Sequence, residues 1–593
     1  MKGILTLLFC LLLTSLSAQE DFLAKQYFND GEFEKAVVFY EKLVSENPRR
    51  TDFVEYLVRC YQQLEAYDKA IAMLQEMVDS GIANPTLYVD LGYTYRLSGQ
   101  GEAAAPWYQR ALEAIESNPN MGYGVGFKFQ RYTLLEYALK AYRRAMALNP
   151  DLDFNFQIAR IYGEQGRVDQ MFEAYMALLV KRPATKPNVL RVFESFVEPD
   201  AENENNRLLK RVLLTQAQQN PDPLWNELLS WLFVQEGQFG AALNQEKAIY
   251  RRAEAAGLDR IFDLGRLADA GGEAEAANEA FEFVAKESGD PSQQLNARLF
   301  LIEIAFREGN YDREDALKAY EKLQEEFGYS PGTLQLQVAY AKFLTFEMEQ
   351  AGKGVRLLKR GLDLPLSAYG EGYLKTHLAD LLVYDRKFNE ALILYSQVQK
   401  RLKNDVMGQE ARFKVAQTSF YKGDFDWALT QLKVLRNSTS QLIANDAMQL
   451  SLIISDNSLE DSTQTALRKF ARADLLIFQQ KKTQAREILE EILSQHKGEA
   501  IEDEALLRHG MLLAEAGDYS GALLSYRKII EFYSGGILAD DAYFKSAQLY
   551  DNYLGEPEKA MENYREIIYR FQDSYYFPEA RRRFRILRGD NLN

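Results

Sequence analysis

The stretch Leu91-Gly92-Tyr93-Thr94-Tyr95-Arg96-Leu97-Ser98-Gly99, followed by Gln100-Gly101-Glu102-Ala103-Ala104-Ala105-Pro106-Trp107-Tyr108-Gln109-Arg110-Ala111, carries a spaced pattern. A large–small pair (Leu91-Gly92) precedes Tyr95, then come Gly99, Ala104, Tyr108 and Ala111. Ile158-Ala159, Tyr162, Gly166, Met171, Tyr175 and Leu178 repeat it, and so do Leu378-Ala379, Leu382, Ala391, Tyr395 and Val398. Each residue type has a packing reason. The small residue lets a first helix approach a second. Glycine ends the first helix because it enters left-handed backbone cheaply. Alanine marks the closest contact on the second helix, and the aromatic four residues on fills the groove one turn along.

Turn glycines recur at Gly31, Gly99, Gly166, Gly237, Gly272, Gly423 and Gly517. The contact alanine recurs from Ala36 and Ala70 to Ala522 and Ala560, with aromatics such as Tyr40, Tyr142, Phe281, Tyr320, Tyr526 and Tyr564 behind it. This pattern resembles the tetratricopeptide repeat, a 34-residue helix–turn–helix unit. Units are expected near 17, 51, 85, 119, 152, 223, 258, 298, 372, 409, 466, 503 and 541, with degenerate stretches at 186–222 and 333–368. The resemblance implies an all-α, right-handed solenoid of roughly 13 to 15 repeats, whose concave face is lined by the first helices and binds other proteins.

Composition agrees. The 593 residues are 47% hydrophobic and 26% charged, in the range of a folded soluble protein, with only 15 prolines and 36 glycines. The net charge of -16 repels phosphate backbones, so no nucleic-acid partner is expected. Lys2, the apolar run Ile4–Leu13 and the small residues Thr14 to Ala18 read as a secretory signal peptide over 1–18. The run falls short of the roughly 20 residues that span a bilayer. Phe9 before Cys10 spoils a lipoprotein site, so a soluble periplasmic product is expected, resting peripherally at the outer membrane at most. Cys60 is then the only mature cysteine, read as a buried residue on a helix.

The expected organisation is an N-terminal array over 19–185, a degenerate repeat with the acidic linker Glu198–Asn206 over 186–222, a central array over 223–408 and a C-terminal array over 409–593. A bend is expected near 198–206. From about 409 the first helices open with an acid and alanine, as in Glu410-Ala411, Asp503-Glu504-Ala505 and Asp541-Ala542. These units resemble the envelope-type repeats of the outer-membrane-assembly lipoprotein D and Tol–Pal coordinator families. The resemblance implies a role in assembling or transporting outer-membrane or secreted proteins, with envelope components as partners.

No catalytic, metal or cofactor set is legible. His377, His496 and His509 lack metal-ligand spacing, and His509 falls on a core position of its repeat. Gly122-Tyr123-Gly124-Val125-Gly126 imitates a phosphate loop, but Asn118-Pro119-Asn120 precedes it where a strand should stand. It reads as an irregular loop between helices, the one place where a cryptic enzyme site could hide. The lysine–asparagine clamp that grips peptide C-termini in some such repeats is absent: its positions hold Asp21 and Lys25, Glu55 and Arg59, Val89 and Tyr93. The candidate partner contacts are Tyr93, Arg96, Tyr373 and Asp380 on first helices, and Arg581, Arg582 and Arg583 on the last helix. The leading expectation is a non-enzymatic scaffold. The alternative is a peptidoglycan- or glycan-binding accessory protein that uses Tyr93 and Tyr373 as exposed stacking rings.

Overall fold

The computed structural model describes residues 20–81, 84–252, 257–435, 440–458 and 464–590. The expected signal peptide, with Cys10, lies outside them. Among the described residues all regular structure is helical, and no helix is long and apolar enough to cross a membrane. The chain divides into two compact units, one ending at Gln238 and the other beginning at Phe239.

The first unit stacks five antiparallel helix pairs: 20–29 with Phe33–Glu46, Thr51–Gln63 with Tyr67–Asp79, Pro85–Leu97 with Gly101–Ser117, Gly122–Arg131 with Leu135–Leu148, and Asn155–Glu164 with Val168–Lys181. Helices Lys186–Phe193, Glu204–Gln219 and Pro223–Gln235 follow, and Glu204–Gln219 packs on both Val168–Lys181 and Pro223–Gln235. The acidic stretch before it is a folded turn. Buried Asn206 donates from Nδ2 to the carbonyls of Glu198 (2.8 Å) and Asp200 (3.1 Å), while Asn203 caps the helix.

The second unit opens with Phe239–Arg252 and contains eight pairs. Their first helices are Asp259–Ala270, Pro291–Arg307, Leu334–Phe346, Ala368–Tyr384, Val406–Lys422, Thr465–Phe478, Glu502–Glu515 and Ala539–Asn552. Phe577–Arg588 closes the stack. One helix, Gln441–Ser458, stands without a partner of its own between two pairs. No unit is legible there from spacing, because no aromatic follows its alanines, Ala444 and Ala447, one turn along. Among the described residues the two units hold thirteen pairs, within the expected range.

Two local devices build the pairs. The first is the turn. All seven glycines read as helix stops have φ between +70° and +87°. Glu65, Thr133, Arg386 and Gln480 occupy the same place with φ of 56°, 57°, 57° and 61°. In each case the next residue's N–H reaches five residues back, as from Gln100 to Tyr95 O (2.9 Å) and from Leu134 to Phe129 O (2.9 Å), which satisfies a carbonyl at the helix end. The second device is a small residue sixteen before an aromatic. A Cβ on Gly92 would sit 2.5 Å from the Tyr108 ring, on Gly126 2.4 Å from Tyr142, and on Gly510 2.5 Å from Tyr526.

This corrects the loop reading of Gly122–Gly126. The segment is the start of helix Gly122–Arg131, preceded by a short turn at Pro119–Met121. Its glycines are packing positions: Gly126 admits Tyr142, and a Cβ on Gly122 would lie 2.2 Å from that of Ala145. Cys60 is fully buried, and burial pushes its thiol up to about 12. His509 is half-buried with Nδ1 3.1 Å from Ser525 Oγ, and burial lowers it below the usual histidine range.

Candidate functional site

In the second unit the first helices of successive pairs present one face to a hollow. Two adjoining clefts, of about 540 and 390 Å³, lie along it. Phe306, Phe343, Phe346 and Phe478 wall the larger one. Phe262, Phe300 and Tyr373 wall the smaller one. The rings brace one another edge to face: Phe306 on Phe343 (5.3 Å, 84°), Phe346 on Phe478 (5.8 Å, 80°) and Phe262 on Phe300 (5.7 Å, 75°). Such contacts hold aromatic walls rigid without filling the space between them. Gln479 ties the end of Thr465–Phe478 to the same layer, donating from Nε2 to Tyr384 O (2.6 Å).

The clefts share Glu303, Ala339 and Lys342. Glu303, Lys342, Asp380 and Lys414 come from four successive first helices, so the charges alternate in sign along the face. Asp380 is buried. Lys414 Nζ lies 2.6 Å from its Oδ1, Tyr395 donates to the same oxygen (2.5 Å), and His377 Nδ1 lies 3.3 Å from Oδ2. Burial alone would raise this carboxyl, but Lys414, His377 and Tyr395 outweigh it and bring it down to about 2. The pair between Glu303 and Lys342 differs. Burial raises Glu303, opposed by Lys342 and Arg307, and burial lowers Lys342, opposed by Asp380 and Glu303. Among the described residues neither side chain makes an ion pair within 4.0 Å or a hydrogen bond, and both face the hollow.

Two of the residues singled out from sequence come together here. Tyr373 lines the smaller cleft, half-buried and edge-on to His377 (4.6 Å, 82°), and Asp380 lines the larger. Tyr93 and Arg96 lie in the first unit. Tyr93 is half-buried and stacked flat on Tyr132 (3.9 Å, 11°), and Arg96 is exposed. One face of the Tyr93 ring is therefore occupied. On the closing helix Arg581 is exposed, Arg582 pairs with Glu579 (2.6 Å) and Arg583 with buried Asp551 (2.6 Å). Arg583 thus ties the closing helix to Ala539–Asn552, whereas Arg582 pairs along its own helix at the surface.

The sequence reading missed Glu303, Lys342 and the phenylalanine walls. A signal for Lys342 exists. It directly follows the small residue Ala341, as Asp380 follows Ala379 and Asp474 follows Ala473. All three small residues are buried, and Lys342 and Asp380 line the larger cleft. Asp474 is held by Arg508 of the next first helix (3.1 Å), just as Lys414 holds Asp380. A second charged network occupies the first unit. Lys128 Nζ lies 2.8 Å from Glu55 and 3.3 Å from Asp90, and Tyr132 donates to Asp90 (2.5 Å). Glu55, one of the positions compared with the peptide clamp, is thereby committed inside the fold.

Comparison with known proteins places tetratricopeptide-repeat profiles on residues 27–81, 85–118, 262–331, 470–537 and 541–574. The general transcriptional corepressor trfA of Dictyostelium discoideum is 28% identical over 130 residues, 22% of this chain and 9% of that protein. The TPR repeat-containing protein MJ1428 of Methanocaldococcus jannaschii is 27% identical over 175 residues, 28% of this chain and 30% of that protein. The matches thus span less than a third of either relative. Among solved structures, Naa15/Naa10 bound to HypK-THB matches with a TM-score of 0.27 and 12% identity, covering 97% of this chain and 100% of that one. Yeast Tom70 matches with a TM-score of 0.26 and 13% identity, covering 96% and 99%.

Proposed function

We propose, because this chain belongs to the tetratricopeptide-repeat proteins, that it is a protein-binding scaffold, and that it works in the bacterial cell envelope in the assembly or transport of outer-membrane or secreted proteins. The observation that carries the binding reading is the pair of phenylalanine-walled clefts on the first-helix face of the second unit. The larger cleft is a concave, mostly apolar space with a few placed polar groups, the default form of a binding site. The most strongly held carboxylate there, Asp380, is already committed to Lys414 and Tyr395, which suits it to shaping a surface rather than to moving protons. The envelope reading draws on the signal-like segment over 1–18 and on the acid–alanine openings of the last repeats. The glycan reading needs open ring faces at Tyr93 and Tyr373, and Tyr132 covers the first while His377 meets the second.

The test is site-specific photocrosslinking in intact cells, with the photoreactive residue placed at Tyr373 and, as a contrast, at Val38 on a second helix. Protein adducts at Tyr373 that are absent at Val38, and that contain outer-membrane or secreted proteins, are the expected result. Adducts made only of cytoplasmic proteins would overturn the envelope role. Absence of any protein adduct, with polysaccharide retained on the purified chain, would replace the scaffold by the glycan binder.

A further inference from the structure

The second unit holds another cavity, of about 260 Å³, beside the lone helix Gln441–Ser458. Leu452 and Ile453 of that helix, Phe470 of Thr465–Phe478, Leu507 of Glu502–Glu515 and Leu538 give it apolar walls. Four charged side chains also line it, and three of them are compensated. Arg508 is paired with Asp474 (3.1 Å). Asp541 accepts from the Tyr576 hydroxyl (2.7 Å), and the charge of Lys545 favours its ionised form. Glu504 is the fourth. It is only 9% exposed, and Asn457 Nδ2 meets its Oε1 at 3.4 Å. Its Oε2 is buried with no hydrogen-bond partner, and no ion pair reaches it within 4.0 Å, among the described residues. Burial, and after it the neighbouring carboxyl of Asp503, push Glu504 up to about 9. Buried polar atoms ordinarily find partners, yet this carboxyl lines a space instead.

We propose that this cavity binds a primary amine on a small apolar body, the ammonium donating to Glu504 Oε2 and the body lying against Phe470, Leu507 and Leu452. The inference goes beyond the scaffold reading and does not rest on it. An ammonium is a compact charge with three donors. It supplies both things that Glu504 lacks, a donor and a counter-ion. An anion would bring one more acceptor to a carboxyl that already wants a donor. A neutral ligand would fill the walls but leave an ionised Glu504 uncompensated. The space suits roughly nine non-hydrogen atoms, the size of 2-phenylethylamine. The proton balance follows. At pH 7 the free chain keeps a proton on Glu504, because burial and Asp503 disfavour the anion. The entering ammonium takes that proton's place: the carboxyl O–H bond breaks, one proton leaves to solvent, and a carboxylate–ammonium pair remains. A lysine side chain of a partner protein carries the same group as a free amine.

The experiment is titration calorimetry on the full chain at pH 7 with 2-phenylethylamine, 2-phenylethanol and phenylacetate. The amine should bind at least about tenfold more tightly than the alcohol, and phenylacetate should not bind. Repeating the amine titration in phosphate and in HEPES, whose ionisation heats differ, should show about one proton released per amine bound. That reading needs no variant, so it stays decisive if a substitution folds poorly. Glu504→Gln removes the charge and keeps the shape; it should bind amine and alcohol alike and release no proton. Nα-acetyl-lysine methylamide separates the two sources of the ammonium. Affinity equal to that of 2-phenylethylamine assigns the cavity to a lysine of a partner protein, and binding about tenfold weaker assigns it to a free amine. Alcohol bound as tightly as amine, no binding of the amine, no proton released, or amine binding unchanged in Glu504→Gln overturns the proposal. None of these outcomes bears on crosslinking at Tyr373, so the scaffold reading stands or falls separately.

Discussion

Asp380 shows how a single carboxyl is set by its surroundings. Taking it out of water favours its neutral form, and two donors plus a cation reverse that preference. Its folded-state value of about 2 lies below the ordinary 3.8, so it contributes stability that is complete above about pH 4 and lost as pH falls toward 2. The shift corresponds to roughly 2 kcal/mol. Asp380→Asn should therefore lower the thermal midpoint at pH 7, and the difference from the unaltered chain should shrink in a melt at pH 3. A difference of the same size at both values would show that Lys414 is compensated elsewhere. This arrangement was only partly legible. Asp380 could be picked out because it follows the small residue Ala379, but its partner Lys414 lies 34 residues on, at another position of the next first helix. One sequence shows each charge and not which pairs close. Glu303 and Lys342 went unread for the converse reason: nothing in a string of letters marks a charge that the fold turns toward a cleft.

At the scale of the element, the helix pair depends on two backbone facts. Gly126 lies against the Tyr142 ring with room for no Cβ. Gly126→Ala gains about 1 kcal/mol of helix propensity, against an overpacking cost of about 1–3 kcal/mol. The cost wins, so the variant should melt earlier than the unaltered chain, whereas Gly101→Ala, where a Cβ meets open space, should not. Thr133 presents the opposite case. A β-branched residue sits at φ 57° where other repeats carry glycine. Left-handed backbone costs such a residue about 1–2 kcal/mol, so Thr133→Gly should raise the urea midpoint by the equivalent of about 1 kcal/mol after the added freedom of the unfolded chain is counted. The repeat was legible because these needs select residue types: Gly99, Ala104 and Tyr108 are readable one by one. Where the need is met by another residue type, reading fails. Gly122 to Gly126 looked like a loop because glycine has two uses, freedom in turns and closeness in helices, and only the ring of Tyr142 tells which applies. The helix Gln441–Ser458 was missed because it lacks the marks of a pair.

Across the whole molecule, a solenoid is expected to be held by contacts between neighbours alone. The first unit departs from that. Lys128, on the fourth first helix, reaches past Asp90 on the third to Glu55 on the second. Lys128→Met would leave Asp90 buried and uncompensated, a loss of about 3–5 kcal/mol by analogy with other broken buried pairs. Hydrogen exchange should then speed up in Thr51–Gln63 and Pro85–Leu97 together. Adding Asp90→Asn should restore protection; acceleration confined to Gly122–Arg131 would show that the three helices open independently. The second unit has a longer link of the same kind in the bond from Gln479 to the Tyr384 carbonyl, 95 residues apart in the chain. Its consequence is kinetic. A helical stack ordinarily folds quickly because its contacts are local, but this bond has to wait until every helix between 384 and 479 has found its place. The wall that Phe346 and Phe478 share can close only at the same moment. The larger cleft should therefore be among the last parts of the unit to form, so that a newly made chain acquires its helices well before it acquires a place to hold anything.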